Sequence, residues 1–309
     1  MTWVSWRLQR TETAIACGIL VLLAALLVPT GISMANAYHR DGLGSCLALD
    51  VGPTCAHRIS AFQSQFQALN VVANWFTLVP GLLGVLLAAP FIHDLEHGTY
   101  RLSWTQSITR GRWLLGKLGV ATVTALAASV ALTLLLVWWR TPQVNLDGRL
   151  DTGIYDTAGI VVVGYTLFAF AAAVALGAVW RRAAASITVA FVGYFATRVF
   201  VDYWLRNRLV PPVTRSWRGG QQPHFLYHAR VISENLLVGG RRIDTGGGGI
   251  VSGSSQFAKP GPGAHSLTRA VFQPASHFWP LQLTETGLYA AVAALLVLFA
   301  AWWTHERAA

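Results

Sequence analysis

Six apolar runs, each long enough to cross a bilayer, decide what this chain can become. They cover approximately residues 13–35, 71–92, 113–139, 157–180, 184–205 and 284–303. An α-helix rises about 1.5 Å per residue, so about 20 apolar residues cross the roughly 30 Å hydrocarbon core. A helix satisfies its own backbone hydrogen bonds, which lipid cannot do for it. Charged residues make up only 12% of the chain, against about 25% in soluble domains. The sequence therefore predicts an all-α membrane protein, a single domain over residues 1–309 with six transmembrane helices. Trp138, Trp139, Trp180, Trp204 and Trp302 stand at run ends, where interfacial aromatics gather.

The formal charge of +10 points to topology rather than to nucleic acid. No aromatic-basic recognition signature accompanies it, and membrane proteins collect Arg and Lys on their cytoplasmic loops. Arg101, Arg110, Arg112 and Lys117 fall between spans 2 and 3, and Arg181 and Arg182 between spans 4 and 5. Arg7, Arg10 and Arg307 lie near the two ends. The alternate loops carry Arg40, Arg58, Arg140 and Arg149 with acids mixed in. This bias predicts that both termini are cytoplasmic, that 93–117 is cytoplasmic and that 206–283 is external. Residues 1–10 read as a short interfacial helix, with Trp3 and Trp6 on one face and Arg7 and Arg10 on another.

The external segment 206–283 is rich in Gly and Pro and too long for a bare loop, so it is expected to be partly folded over the outer face. Cys46 and Cys55 share the first external loop. A disulfide there suits an oxidising compartment, and two unpaired thiols are the alternative. Cys17 reads as an apolar core residue.

Some patterns look catalytic. Gly111–Leu118 has the spacing of a phosphate-binding loop, but Leu118 stands where Ser or Thr must hold magnesium, and no strand precedes it. Any ATP must then be hydrolysed by another chain. His93–His97 reads HDLEH, the His-x-x-Glu-His pattern of inverted zinc proteases. Two histidines at i and i+4 can share a metal, with Glu96 as general base. The plainer reading is a solvated, charged end of span 2, and no third ligand is evident. His224 and His228, also four apart, read as structural. Arg198 and Asp202 lie four apart near the outer end of span 5. Charges there are costly, so the two are expected to pair and face the interior, as a structural ion pair or as a gate or substrate contact.

The stretch from His93 to Lys117 holds the densest group of ionisable residues. Its start is acidic and its end basic, which suits a helix dipole. Gly98 breaks the preceding helix, Thr99 or Ser103 can cap a new one, and Leu102, Trp104, Ile108 and Trp113 supply apolar anchors. A short amphipathic helix at the membrane surface is predicted. This stretch resembles the first cytoplasmic loop of ABC-2-type exporter permeases, in a form common in high-GC Gram-positive bacteria. The matching positions are Asp94, Glu96, Gly98, Thr99, Arg110 and Lys117. A second match is Phe272–Tyr289, FQPASHFWPLQLTETGLY. His277 stands where Arg is expected, and Asp94 where Glu is frequent.

The resemblance implies the permease subunit of an ATP-binding-cassette exporter in a bacterial plasma membrane. It implies a homo- or heterodimer of permeases that encloses the path, and separate cytoplasmic ATPase subunits that hold ATP and magnesium. This chain would bind no cofactor and carry no catalytic residue. Force would enter through the N-terminal helix and through a cytoplasmic coupling helix in 93–112, which joins the hairpin of spans 1 and 2 to span 3. The path is expected to be lined by apolar and small side chains. The alternative is a membrane-embedded zinc hydrolase built on His93, Glu96 and His97. An ion-driven secondary carrier is disfavoured because intramembrane acids look scarce.

Overall fold

The computed structural model describes residues 2–48, 53–98, 109–218, 223–238, 241–244, 249–250 and 266–307. The helices are α1 (Thr2–Arg40), α2 (Leu43–Ala48), α3 (Pro53–Gln65), α4 (Gln67–Trp75), α5 (Val79–Glu96), α6 (Arg110–Asp147), α7 (Thr152–Tyr155), α8 (Val161–Trp180), α9 (Ala183–Phe200), α10 (Arg206–Leu209) and α11 (Phe278–Arg307). A 3-10 turn joins α4 to α5, and a π-helical turn, Val201–Leu205, joins α9 to α10. Among the described residues, six stretches are long and apolar enough to cross a membrane: Thr13–Arg40, Gln67–Glu96, Gly111–Asp147, Val161–Trp180, Ala183–Leu209 and Ala275–Glu306. Each contains nearly all of one expected run. The helical backbone of α1 is uninterrupted, so the stretch expected as a separate interfacial helix continues into span 1.

Span 4 is the central column. It is apolar on every side, which marks a helix surrounded by others, and it packs against spans 2, 3, 5 and 6. Small residues let it come close. A Cβ on Gly84 of span 2 would sit 2.5 Å from the Thr166 carbonyl oxygen, and a Cβ on Gly177 would sit 2.6 Å from Ile92 Cγ1. This is how membrane helices associate without a hydrophobic driving force between them. Spans 1, 3, 5 and 6 carry an exposed apolar side, with Leu22, Leu134, Phe195 and Leu295 among its residues. Cys17 is exposed on span 1, not in the core as expected. The neighbouring Ala16 takes the core-facing position there.

Span 3 runs past the expected boundary at Trp139 to Asp147. Its polar extra turns stay helical because their groups are satisfied inside the protein. Arg140 donates to Thr157 Oγ1, Gln143 Oε1 and the Gly153 carbonyl at 3.2, 2.6 and 2.9 Å. Trp139 Nε1 donates to Thr30 Oγ1 at 3.0 Å and ties span 3 to span 1.

Within the expected external segment, an antiparallel sheet forms from β1 (Val213–Arg218), β2 (Arg230–Val238), β3 (Arg241–Asp244), β4 (Gly249–Ile250) and β5 (Ser266–Gln273). The order is β1-β5-β2-β3, with β4 also paired to β2. Its small core is Leu226, Ala229, Val231, Ala270 and Phe272. The membrane-spanning part is all-α, and the partly folded segment is this β-sheet. His228 has a left-handed backbone (φ 55°) and packs on Gly148, where an added Cβ would lie 2.7 Å from its own Cβ. That contact fastens the segment to the end of span 3. Cys46 and Cys55 form a disulfide at this same end of the bundle.

Candidate functional site

Two polar layers close the two ends of the apolar bundle. At one end, span 2 finishes in His93–Glu96, and Gly98 turns the chain at φ 70°, a conformation that favours glycine. Asp94 forms an ion pair with Lys117, which is buried in span 3. Glu96 Oε2 accepts the Ala183 backbone N–H at 3.2 Å, one of the orphan donors at the start of α9. The same oxygen lies 3.6 Å from His93 Nδ1. Asp94 and Glu96 thus fix the end of span 2 to the starts of spans 3 and 5. Thr99 and the predicted coupling helix lie outside the described residues, as does the Arg110 side chain, although Arg110 begins α6.

His93, Glu96 and His97 bring three possible ligand atoms within 4.8 Å of one another, and all three residues are exposed. His97 Nδ1 lies 3.0 Å from the His93 carbonyl oxygen, so the ring leans on its own helix. Glu96 already serves α9. The group can offer a surface metal three donors, but its acid has another use.

The opposite end holds a buried charged layer centred on Arg206. Arg206 Nη2 donates to Asp156 Oδ1 at 2.6 Å, its Nε donates to Glu285 Oε2 at 3.0 Å, and Nη1 pairs with Asp202. Arg198 Nη2 meets Asp156 Oδ2 at 2.8 Å. Tyr165 donates to Glu285 Oε1 at 2.6 Å, and Tyr155 to Glu285 Oε2 at 3.2 Å. The guanidinium planes of Arg198 and Arg206 lie over the Tyr165 and Tyr155 rings at 4.1 and 4.2 Å. Span 6 adds Gln282, which donates to the Tyr155 carbonyl at 3.1 Å and accepts the Val161 N–H at 3.0 Å. Burial alone would push the Asp156 carboxyl up, but the two guanidiniums outweigh it and hold it at about 2. A buried polar network of this kind is stable only because nearly every member is satisfied.

Arg198 and Asp202 were expected to pair with each other. They do not: Arg198 takes Asp156, and Asp202 takes Arg206, with Arg230 at 3.8 Å. The residues between them enter the π-helical turn, and Asp156, delivered by the connection before span 4, offers Arg198 a buried partner. Asp156, Arg206, Glu285 and Tyr165 were missed as site residues. Glu285 carried a signal, since an acid inside an apolar run is costly and must have a partner.

Beside this layer is a cavity of about 680 Å³. Asp151, Asp156, Asp202, Arg140 and Arg198 contribute to its wall. Asp151 accepts the Gly153 N–H at 2.8 Å as the N-cap of α7, and burial raises its carboxyl above the usual range.

The family model described as ABC-2 membrane transporter related matches residues 17–206. No curated protein and no solved structure matches the chain. The matched region takes in Asp94–Lys117 and the charged layer as far as Arg206, and stops before Glu285 and the sheet.

Proposed function

The chain belongs to the ABC-2 membrane transporter related family, and from this premise we propose that it is the permease subunit of an ATP-binding-cassette exporter, driven by a separate ATPase. As a family member with six apolar helices it is a multi-pass membrane protein and a transport subunit. The finer reading is that two copies, or this chain and a related one, enclose the path in a bacterial plasma membrane. ATP and magnesium are held by the partner ATPase, which docks against 93–117.

The observation that carries this reading is the family match, because it covers the stretch where Asp94 and Glu96 lock spans 2, 3 and 5 together. Force applied there reaches three helices at once, as rigid-body rocking requires. The Cys46–Cys55 disulfide at the opposite end favours an oxidising compartment on that side. That supports an external sheet and cytoplasmic termini.

The test is purification of the tagged chain from its native membrane. An ATPase subunit should copurify, and its hydrolysis should respond to transported solute. A chain that carries stoichiometric zinc, hydrolyses substrate without ATP and brings no ATPase overturns the reading. It would favour the hydrolase, for which the His93, Glu96 and His97 group is the supporting observation.

A further inference from the structure

The cavity beside the charged layer has two unlike walls. Gln67, Asn70, Asn74 and Thr77 all line it. The first three recur at i, i+3 and i+7, which places them on one side of a helix. They present neutral amides, of which Asn70 already accepts Gln143 Nε2 at 2.5 Å through its Oδ1. The opposite wall is ionic, and most of its charges are already used. Asp156 is shared by Arg198 and Arg206, and Asp202 pairs with Arg206. Arg140 gives its donors to neutral oxygens of Thr157, Gln143 and Gly153.

Asp147 accepts Gln63 Nε2 at 2.9 Å. Among the described residues of this wall, Asp151 and Arg198 keep unused capacity. Asp151 accepts the Gly153 N–H at 2.8 Å and is also met by the Ile154 N–H; Arg140 and Arg230 attract it from a distance, with no cation within 4.0 Å among the described residues. An ionised carboxylate offers about four acceptor sites, so about half of the Asp151 acceptor capacity is open to a ligand. Arg198 Nη1 is buried and lacks a hydrogen-bond partner, which is uncommon for a native group. A ligand that fits brings a cation to Asp151 and hydroxyl donors and acceptors to the amides; Arg198 can only donate, and reaching its closed Nη1 requires a small shift. The cavity volume falls in the range of about 300–1,000 Å³ common to small-molecule sites.

We propose that this cavity binds the exported solute, and that the solute is a polyhydroxylated amine of the amino-sugar class, with its ammonium on Asp151 and its hydroxyls on the Gln67–Asn70–Asn74 face. The substrate role rests on the permease reading above, whereas the binding chemistry does not. A hydroxyl both donates and accepts, so it suits amides whose orientation can follow it. An acetylated amine has the same ring and loses the charge that Asp151 requires.

The experiment uses the full-length chain in a neutral detergent, with two matched probes: chitotriose, with free amines, and its fully N-acetylated form. Chitotriose should bind saturably and raise the thermal midpoint, and the acetylated sugar should bind at least about tenfold weaker, the loss of one charge-assisted contact. Asp151→Asn should abolish the preference, because asparagine still caps α7 but has no charge. Equal binding of the two sugars, no binding of either, or a preference that survives Asp151→Asn overturns the proposal. Binding is read on the permease alone. Its failure leaves ATPase association untouched, and failure of ATPase copurification leaves the binding result standing.

Discussion

Arg206 shows how one side chain can hold three segments of this protein together. Its guanidinium meets acids from the connection before span 4, from span 5 and from span 6. Arg206→Ala leaves Asp156 and Glu285 buried with fewer partners and should cost about 3–5 kcal/mol, read as a lower thermal midpoint in detergent. Arg206→Lys should recover little, because an ammonium cannot reproduce the planar fork. Acid tests the same layer. The Asp156 carboxyl is held at about 2 in the folded protein, below its ordinary value of about 3.9. A depressed value means that its contribution is fully present above about pH 4 and is lost as pH falls through about 2. The midpoint of the wild type should therefore drop over that window more steeply than that of Asp156→Asn; equal slopes would remove Asp156 from the account. Sequence reading reached part of this layer. Arg198 and Asp202 were recognisable because charges in a span need partners, but their true partners come from distant segments. No local spacing encodes Asp156 next to Arg198.

The helices were legible where hydropathy alone defines them and less so where polar turns continue them. Arg140 and Gln143 look like a loop in sequence, yet they are helical because Thr157, Gly153 and Asn70 satisfy them. The sheet was less visible. SLTRAVFQ in β5 holds Thr, Val and Phe, which favour strands, but its polar and apolar residues do not alternate, and Gly- and Pro-rich neighbours mask it. The close contact of spans 2 and 4 gives a sharper test of packing. Gly84→Val must push a side chain against the Thr166 backbone and should cost about 1–3 kcal/mol or more. Gly193→Ala is the control: nothing lies within 4 Å of its added Cβ, and better helix propensity should stabilise by up to about 1 kcal/mol. Matched thermal midpoints for the two variants would show that the close approach does not hold the bundle. Reducing Cys46–Cys55, which closes a short loop, should lower stability by roughly 2–3 kcal/mol. Intact mass before and after reductant gives the state of the pair.

The whole bundle is a column of small residues along span 4 with a charged layer at each end. Movement at one end can reach the other only if each end is stiff, and the bonds from Asp94 and Glu96 supply that stiffness at the His93–Lys117 end. Glu96 has two separable features there: its oxygen caps α9, and it carries a charge at the end of span 2. Glu96→Gln keeps an acceptor for the Ala183 N–H and removes the charge. It should fold with a loss of no more than about 1 kcal/mol, since neutral caps work nearly as well. If the stretch docks an ATPase, the charge belongs to a partly desolvated contact, where removing one partner costs about 2–5 kcal/mol. Transport and copurifying ATPase should then both fall in Glu96→Gln at equal membrane abundance, and Arg110→Ala should act the same way. If these are solvated charges instead, each is worth well under about 1 kcal/mol, and both variants will transport like the wild type. That result would remove the coupling role from this stretch. A third pattern, loss of bound zinc in Glu96→Gln with ATPase association intact, would shift the role of His93, Glu96 and His97 from support of α9 to metal binding.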